Sequence, residues 1–230
     1  MTTLLIATRN AHKVGEIRAI LGARFQCLTL DDYPNAPKVV EDADTFAGNA
    51  AKKAVELAKW LAGGISNFKF QISDSVFALA DDSGLEVDAL DGAPGVHSAR
   101  FAAMDSAKSG NTPDADNNAR LLRLLKDIPA EKRTARFHCV IALVAIAGGA
   151  SLPASRLVSS IGAPIFFNGV CEGRIILTPR GENGFGYDPL FVPVGFEQTF
   201  AELGDEVKNK ISHRSKALEK LKEYFGNKNR

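Results

Sequence analysis

The chain is short of cysteine, of long apolar runs and of charge of either sign in excess, and each shortage removes a class of protein. Cys27, Cys139 and Cys171 are its only cysteines and are scattered without paired spacing, which argues against a disulfide framework and against a zinc site. A reduced, cytoplasmic protein is the expectation. The longest apolar run, Val140 to Gly149, is too short to cross a bilayer, so no membrane partner is expected. The N-terminus also lacks the basic flank and extended apolar region of a signal peptide. Lysine and arginine total 28 against 27 acids, a net charge of +1, and that balance leaves no basic footprint for nucleic acid. Recognition of an anion must therefore be local.

What is present is enough apolar residue for a substantial core, 45% of 230 residues, in one large domain or two lobes. Within it, Val76 to Ala80 is an apolar run followed directly by Asp81 and Asp82 and then by Ser83-Gly84. The pattern predicts a buried strand that ends in two carboxylates and a turn. In open α/β sheets, the carboxyl ends of strands are where ligands bind. Adjacent strand residues point to opposite faces, so one of the two acids faces the ligand and the other bonds backbone or a cation.

Earlier in the chain, Thr3 to Ala7 reads as a short strand, and Val14, Ile17, Ile20 and Leu21 repeat at helical spacing after the break at Thr8-Arg9-Asn10. Thr8 or Asn10 caps that helix, whose N-terminus offers unpaired amides and a positive dipole end. With Lys13 one turn in, this forms a candidate phosphate cradle, although the glycines and Gly-Lys-Ser/Thr ending of a Walker loop are absent. Phe25 to Leu30 predicts a second strand. Thr45 then caps a long helix with Phe46, Ala50, Ala54, Leu57, Ala58 and Leu61 on one face. Asn49 and Lys53 stand one turn apart on it, Lys53 within the apolar stripe. Such an ammonium either meets an anion or snorkels out of the margin. Glu41, Asp42 and Asp44 are either a solvated cluster or the source of a second carboxylate.

Farther along, Leu85 to Leu90 alternates as a separate, half-exposed strand, Gly92 to Phe101 is a tight turn with a basic end, and Asp105 to Asp116 is polar and mobile. Asn117 to Leu125 predicts a helix, Ala135 to Ala147 the most apolar strand, with His138 a core histidine, and Phe166 to Ile176 a further strand. Gly63 to Ser75 reads as a loop-like insertion and Gly148 to Gly162 as a hairpin connection of unusual length. In Gly184-Phe185-Gly186-Tyr187-Asp188-Pro189 the glycines let the backbone approach a flat partner while the ring is presented to it. Ser212 caps the last helix, and His213 and Arg214 put cations in a first turn where the dipole disfavours them. Such conflicts tend to mark function.

Thr8-x-Asn10-x-x-Lys13-x-x-Glu16, Phe46-x-x-Asn49-Ala50-x-x-Lys53-Ala54, Ala80-Asp81-Asp82-Ser83-Gly84-Leu85, Gly92-Ala93-Pro94-Gly95 with Ser98-Ala99-Arg100, Gly184-Phe185-Gly186-Tyr187-Asp188-Pro189 and Ser212-His213-Arg214 occur in this order. As an ordered set covering nearly the whole chain, they resemble the inosine/xanthosine triphosphate pyrophosphatase family. The resemblance implies an α/β fold in which residues 1–230 form a two-lobed single domain, with a central mixed sheet flanked by helices and an active-site cleft between lobes. It implies a homodimer that uses Mg²⁺ to hydrolyse a nucleoside triphosphate to monophosphate and pyrophosphate. It places Thr8, Arg9, Asn10, Ala11, His12 and Lys13 on the phosphates, together with Lys53. Asp82 falls at the position of the general base and metal contact, and Glu41 at that of a second metal carboxylate. Ser83 falls where a polar group contacts substrate, and Phe185, Gly186, Tyr187, Asp188, Lys208, His213 and Arg214 fall where the family holds the base.

The residue types suit that chemistry. Lys13, Lys53, helix amides and Mg²⁺ offset the charge that grows on a leaving pyrophosphate, and a carboxylate can orient or deprotonate the attacking water. Inosine and xanthosine carry a 6-oxo acceptor where adenosine has an amino donor. Donors from Arg214 and His213 therefore favour them. Two other readings are a pyrophosphatase for other modified nucleotides and a noncatalytic nucleotide- or RNA-binding regulator. Against the regulator, paired Asp81 and Asp82 repel phosphate unless a cation intervenes.

Overall fold

The computed structural model describes residues 1–63, 75–105, 110–146 and 161–227. Of the two stretches expected at Gly63 to Ser75 and Gly148 to Gly162, residues 64–74 and 148–160 lie outside the described residues. A six-stranded mixed sheet has the order β2-β1-β3-β4-β5-β6, formed by β1 (Thr2–Ile6), β2 (Phe25–Thr29), β3 (Ser75–Val87), β4 (Thr134–Ile146), β5 (Ile165–Ile175) and β6 (Phe191–Pro193). β1 runs parallel to β2 and to β3, whereas β5 and β6 are antiparallel. The helices are α1 (Ala11–Leu21), α2 (Phe46–Gly63), α3 (Asp114–Leu124), α4 (Phe200–Ile211) and α5 (His213–Asn227).

The chain falls into two compact units, with β3, β4 and β5 each contributing residues to both. The first contains Met1–Asp82, Val140–Phe167 and Lys220–Arg230. Its core holds Leu4, Leu5, Ile6, Ile17, Leu57, Leu61 and Leu79. Phe225 of α5 meets Phe77 of β3 and Phe25 of β2 edge-on, with ring centres 5.1 and 5.3 Å apart. Burying each such side chain contributes about 1.5–3 kcal/mol. Asn10 caps α1, its Oδ1 accepting the Lys13 amide at 3.1 Å, while the Thr8 hydroxyl accepts the Asn10 amide. Thr45 caps α2 by accepting the Gly48 amide.

The second unit contains Ser83–Cys139 and Asn168–Glu219. Its core gathers Leu85, Val87, Phe101, Leu121, Phe137, Tyr187, Leu190, Phe191 and Phe200. α4 opens with a capping box, in which Thr199 Oγ1 accepts the Glu202 amide and the Glu202 carboxylate accepts the Thr199 amide. Ser212 Oγ accepts the Ser215 amide at the start of α5. Gly169 of β5 lets that helix start come close, because a Cβ there would collide with the His213 carbonyl oxygen and stand 2.6 Å from the Ala217 nitrogen.

Four local expectations are corrected. Ser83-Gly84 is not a turn and Leu85 to Leu90 is not a separate strand, because β3 continues to Val87. Leu85 and Val87 are fully buried and the Leu85 amide donates to Ser98 Oγ, so packing outweighs the turn preference of Ser-Gly. The third helix starts at Asp114, where Asp114 and Asp116 favour its N-terminus. The segment expected as a turn from Gly92 to Phe101 is largely helical, in 3₁₀ form from Gly95 to Asp105. His138 is not a core histidine. Its side chain is 27% exposed, with Nδ1 3.8 Å from Glu86 Oε1, because alternation along β4 turns it away from the core.

Candidate active site

In the first unit, β1 ends in register with Leu79 of β3, and the Ala7 amide closes that ladder on the Leu79 carbonyl. Asp81 and Asp82 therefore stand just beyond the carboxyl end of β1, where a parallel sheet leaves room for a ligand. Alternation sends them to different lysines. Asp81 Oδ1 accepts Lys13 Nζ at 2.5 Å. Lys53 Nζ, buried within the apolar stripe of α2, donates to Asp82 Oδ1 at 3.1 Å and to the Asp81 carbonyl at 2.8 Å, and it lies 3.1 Å from Glu41 Oε2. The choice left open for Lys53 is thus settled. It pairs with anions, which hold its pKa above the ordinary lysine value although burial alone lowers it.

Glu41 and Asp82 share that ammonium, with unequal results. Burial, joined by the nearby Glu41 charge, pushes the Asp82 carboxyl up to about 6 against the pull of Lys53 and Lys13. Burial also works upward on Glu41, but Lys53, a hydrogen bond with Asp82 and Lys13 outweigh it and hold Glu41 below its ordinary value. Near neutral pH one carboxyl of the pair is thus poised to exchange a proton, the property a general base requires. Asp82 Oδ2 is buried and meets no hydrogen-bond donor among the described residues. Two carboxylates, one with an unsatisfied oxygen, suit Mg²⁺, which keeps waters and takes its other ligands from substrate phosphates. Among the described residues no group of three His, Cys, Asp or Glu is placed to hold a metal by itself.

The segment carrying Glu41 is tied to α2. Fully buried Asn49 accepts the Ala43 amide at 2.9 Å and donates to the Ala43 carbonyl at 3.3 Å. Asp42 takes surface Lys52 at 2.5 Å, which leaves Glu41 as the acid that reaches Lys53. Arg9 spans the loop after β2, donating to the carbonyls of Leu30 and Ala36 at 3.3 and 3.4 Å. Ala11 and His12 lie exposed in the first turn of α1, where backbone amides have no intrahelical acceptor.

In the second unit, Gly184 and Gly186 have φ of +77° and +64°, which arches the chain around Phe185. The Asp188 carboxylate accepts the Phe185 amide at 2.8 Å and pairs with Lys208 Nζ at 2.5 Å. Lys208 Nζ lies 4.5 Å from the centre of the Phe185 ring and the Arg214 guanidinium carbon 5.9 Å from it. Two cations thus lie close to the ring. Arg214, almost fully buried, donates to Ser83 Oγ at 2.9 Å. His213 stacks on Phe137 with centroids 4.8 Å apart and planes 14° from parallel. Tyr187 is buried and its hydroxyl donates to the Ser98 carbonyl at 2.9 Å. Its pKa is raised, first by burial and then by the Asp114 charge.

Lys13, Lys53, Glu41, Asp81 and Asp82 thus converge in one unit, and Ser83, Phe185, Asp188, Lys208 and Arg214 are linked in the other. The Asp82–Ser83 peptide bond joins the two sets. In the sequence Asn49 stands out only by its spacing from Lys53 and its place in the family pattern, and nothing marks Asp114 or Asn118. α4 is absent from the elements expected above, although Thr199-x-x-Glu202 carries the capping-box signature.

Residues 4–224 match the Ham1 family. A dITP/XTP pyrophosphatase of Geobacter sulfurreducens is 45% identical over 227 residues, 98% of this chain and 98% of its own. One of Desulforamulus reducens is 44% identical over 221 residues, 96% of this chain and 94% of its own. A HAM1 protein from Coxiella burnetii is similar in structure, with a TM-score of 0.76 and 35% identity over 99% of this chain and 100% of that one. A nucleoside-triphosphatase, dITP/XTP pyrophosphatase, from Mycobacterium abscessus has a TM-score of 0.67 and 37% identity over 96% and 98% of the two chains. With matches that span nearly its whole length in both sequence and structure, the chain belongs to the Ham1 family.

Proposed function

We propose that the protein hydrolyses non-canonical purine nucleoside triphosphates, dITP, ITP and XTP, to the nucleoside monophosphate and pyrophosphate, and that residues 1–230 act as one domain. The observation that carries this reading is the buried cluster in which Lys53 Nζ stands 3.1 Å from both Asp82 Oδ1 and Glu41 Oε2, with Asp82 Oδ2 meeting no hydrogen-bond donor among the described residues. Relatives that share more than nine-tenths of the chain are named dITP/XTP pyrophosphatases, and their name supplies the substrate class. The amides of the first turn of α1 take the phosphates, with Thr8 and Asn10 holding that turn in shape. Lys13 and Lys53 stabilise charge on the leaving pyrophosphate.

Asp82 and Glu41 would hold Mg²⁺, which supplies further charge stabilisation at the phosphate oxygens when bound. Asp82 orients the attacking water and takes its proton. The water oxygen bonds to the α-phosphorus, the bridge to the β-phosphate breaks, and pyrophosphate departs with the bonding electrons. No serine, cysteine or histidine nucleophile takes part. In the second unit Phe185 stacks on the base, Asp188 and Lys208 brace that ring, and Arg214 and His213 donate to the 6-oxo group. The resemblance extends the proposal to a cytoplasmic homodimer that binds no nucleic acid. Among the described residues no helix is long and apolar enough to cross a membrane.

Incubation with a panel of nucleoside triphosphates, with and without Mg²⁺ and with both products identified, tests the function. Mg²⁺-dependent release of pyrophosphate and monophosphate from dITP, ITP and XTP, with little from ATP, is expected. Release of orthophosphate, or preference for a modified pyrimidine nucleotide, would overturn it.

A further inference from the structure

The turn that presents Phe185 is gripped by α3. Gly186, the residue after Phe185, donates its amide to Asp114 Oδ2 at 2.7 Å, and its carbonyl accepts Asn118 Nδ2 at 3.0 Å. Asp114 and Asn118 are one helical turn apart on the same face. One helix thus holds both polar groups of a residue whose φ of +64° gives it little support from regular structure. α3 is a firm platform for this. Leu121 is fully buried in the core of the unit, Arg120 donates to the Phe101 carbonyl and lies over the Phe101 ring, and Asn117 accepts the Ala102 amide at 2.8 Å. Asn118 Oδ1 is buried without a hydrogen-bond partner among the described residues. Among the described residues the side chain therefore makes a single hydrogen bond, to the Gly186 carbonyl.

We propose that Asp114 and Asn118 are positioning residues for base recognition, clamping the Gly186 peptide so that the Phe185 ring stands ready for the base. The proposal rests on the reading that Phe185 stacks on the base. The clamp touches neither substrate nor reacting atoms, and it acts by removing backbone freedom on one side of the ring while the Asp188 carboxylate does so on the other. Loss of either grip loosens the ring in the free protein, so base binding must then order it.

Asp114 also lies in the first turn of α3, where a negative charge favours the helix in any case. Asp114→Asn separates the two roles, since it removes the charge and keeps an oxygen that accepts the Gly186 amide. The experiment measures KM and kcat for ITP, with the melting temperature of each variant, for Asp114→Ala, Asp114→Asn, Asn118→Ala and Phe185→Ala. Losing one such hydrogen bond raises KM about fivefold. That rise is expected in Asp114→Ala and Asn118→Ala with kcat changed less than about twofold, as for lost uniform binding. Asp114→Asn is expected to restore the wild-type KM. A larger rise in Phe185→Ala with unchanged KM in both alanine clamp variants would overturn the clamp. So would an Asp114→Asn protein that behaves like Asp114→Ala. An unchanged KM in Phe185→Ala would overturn the stacking reading, and the clamp with it.

Discussion

Asp82 shows how burial and neighbours prepare one side chain. Its carboxyl is raised from 3.8 to about 6, first by burial. In the metal-free protein the unfolded chain ionises at Asp82 at lower pH than the folded one, so the folded state binds more protons between those values. Stability then falls as pH rises through that window. The melting-temperature advantage of Asp82→Asn over wild type is predicted to be smallest near pH 4 and to grow up to about pH 7, as calorimetry without metal would read. Added Mg²⁺ is predicted to raise the melting temperature of the wild type above pH 6 and that of Asp82→Asn far less. A gap that narrows with rising pH would contradict the assignment. Arg214 belongs to the same scale. Arg214→Ala removes a donor to the 6-oxo group, and loss of a charged hydrogen bond of about 1.5–3 kcal/mol should lower kcat/KM for ITP by roughly 10- to 100-fold. ATP should be affected less, and an unchanged ratio of the two would remove Arg214 from base choice.

Among the elements, α5 shows how a backbone approach places side chains. Its first turn carries His213 and Arg214, both buried, where the dipole disfavours cations. The start of that helix lies against Gly169 with no room for a Cβ, which would strike the His213 carbonyl. Gly169→Ala must displace the helix start or strain β5. A stability loss of about 1–3 kcal/mol is predicted in urea unfolding, together with weaker preference for ITP over ATP, although residue 169 supplies no group to the base. Wild-type preference in that variant would show that the helix start does not set the selectivity. The sequence marked this region through the Ser212 cap and the misplaced cations, which are local signals. It could not mark Gly169, because a residue of β5 gains its meaning only when α5 lies against it. The same holds for Asp114 and Asn118, whose partner is the backbone of Gly186, distant along the chain.

For the whole molecule, β1, β2, β4, β5 and most helices were legible because apolar periodicity and caps are local, whereas the short β6 (Phe191–Pro193) carries too little pattern to stand out. β3 was cut short because Ser83-Gly84 carries a turn signal that the buried Leu85 and Val87 override. Asp81 and Asp82 accordingly lie within β3 rather than at its end, and it is β1, stopping opposite Leu79, that leaves them beyond a strand end. Among site residues, the expectation that Lys13, Lys53, Glu41 and Asp82 share one region agrees with the ion pairs in the first unit. Arg9 could not be read as a tie for the Leu30 to Ala36 loop, because its partners there are main-chain carbonyls. The central claim is that Asp82 serves turnover and is dispensable for holding the nucleotide. Its most direct test is pyrophosphate release from ITP with Mg²⁺, measured beside ITP binding, in Asp82→Asn. The account predicts a fall in turnover of at least about 10²-fold with nucleotide still bound, and turnover near the wild-type rate would contradict it.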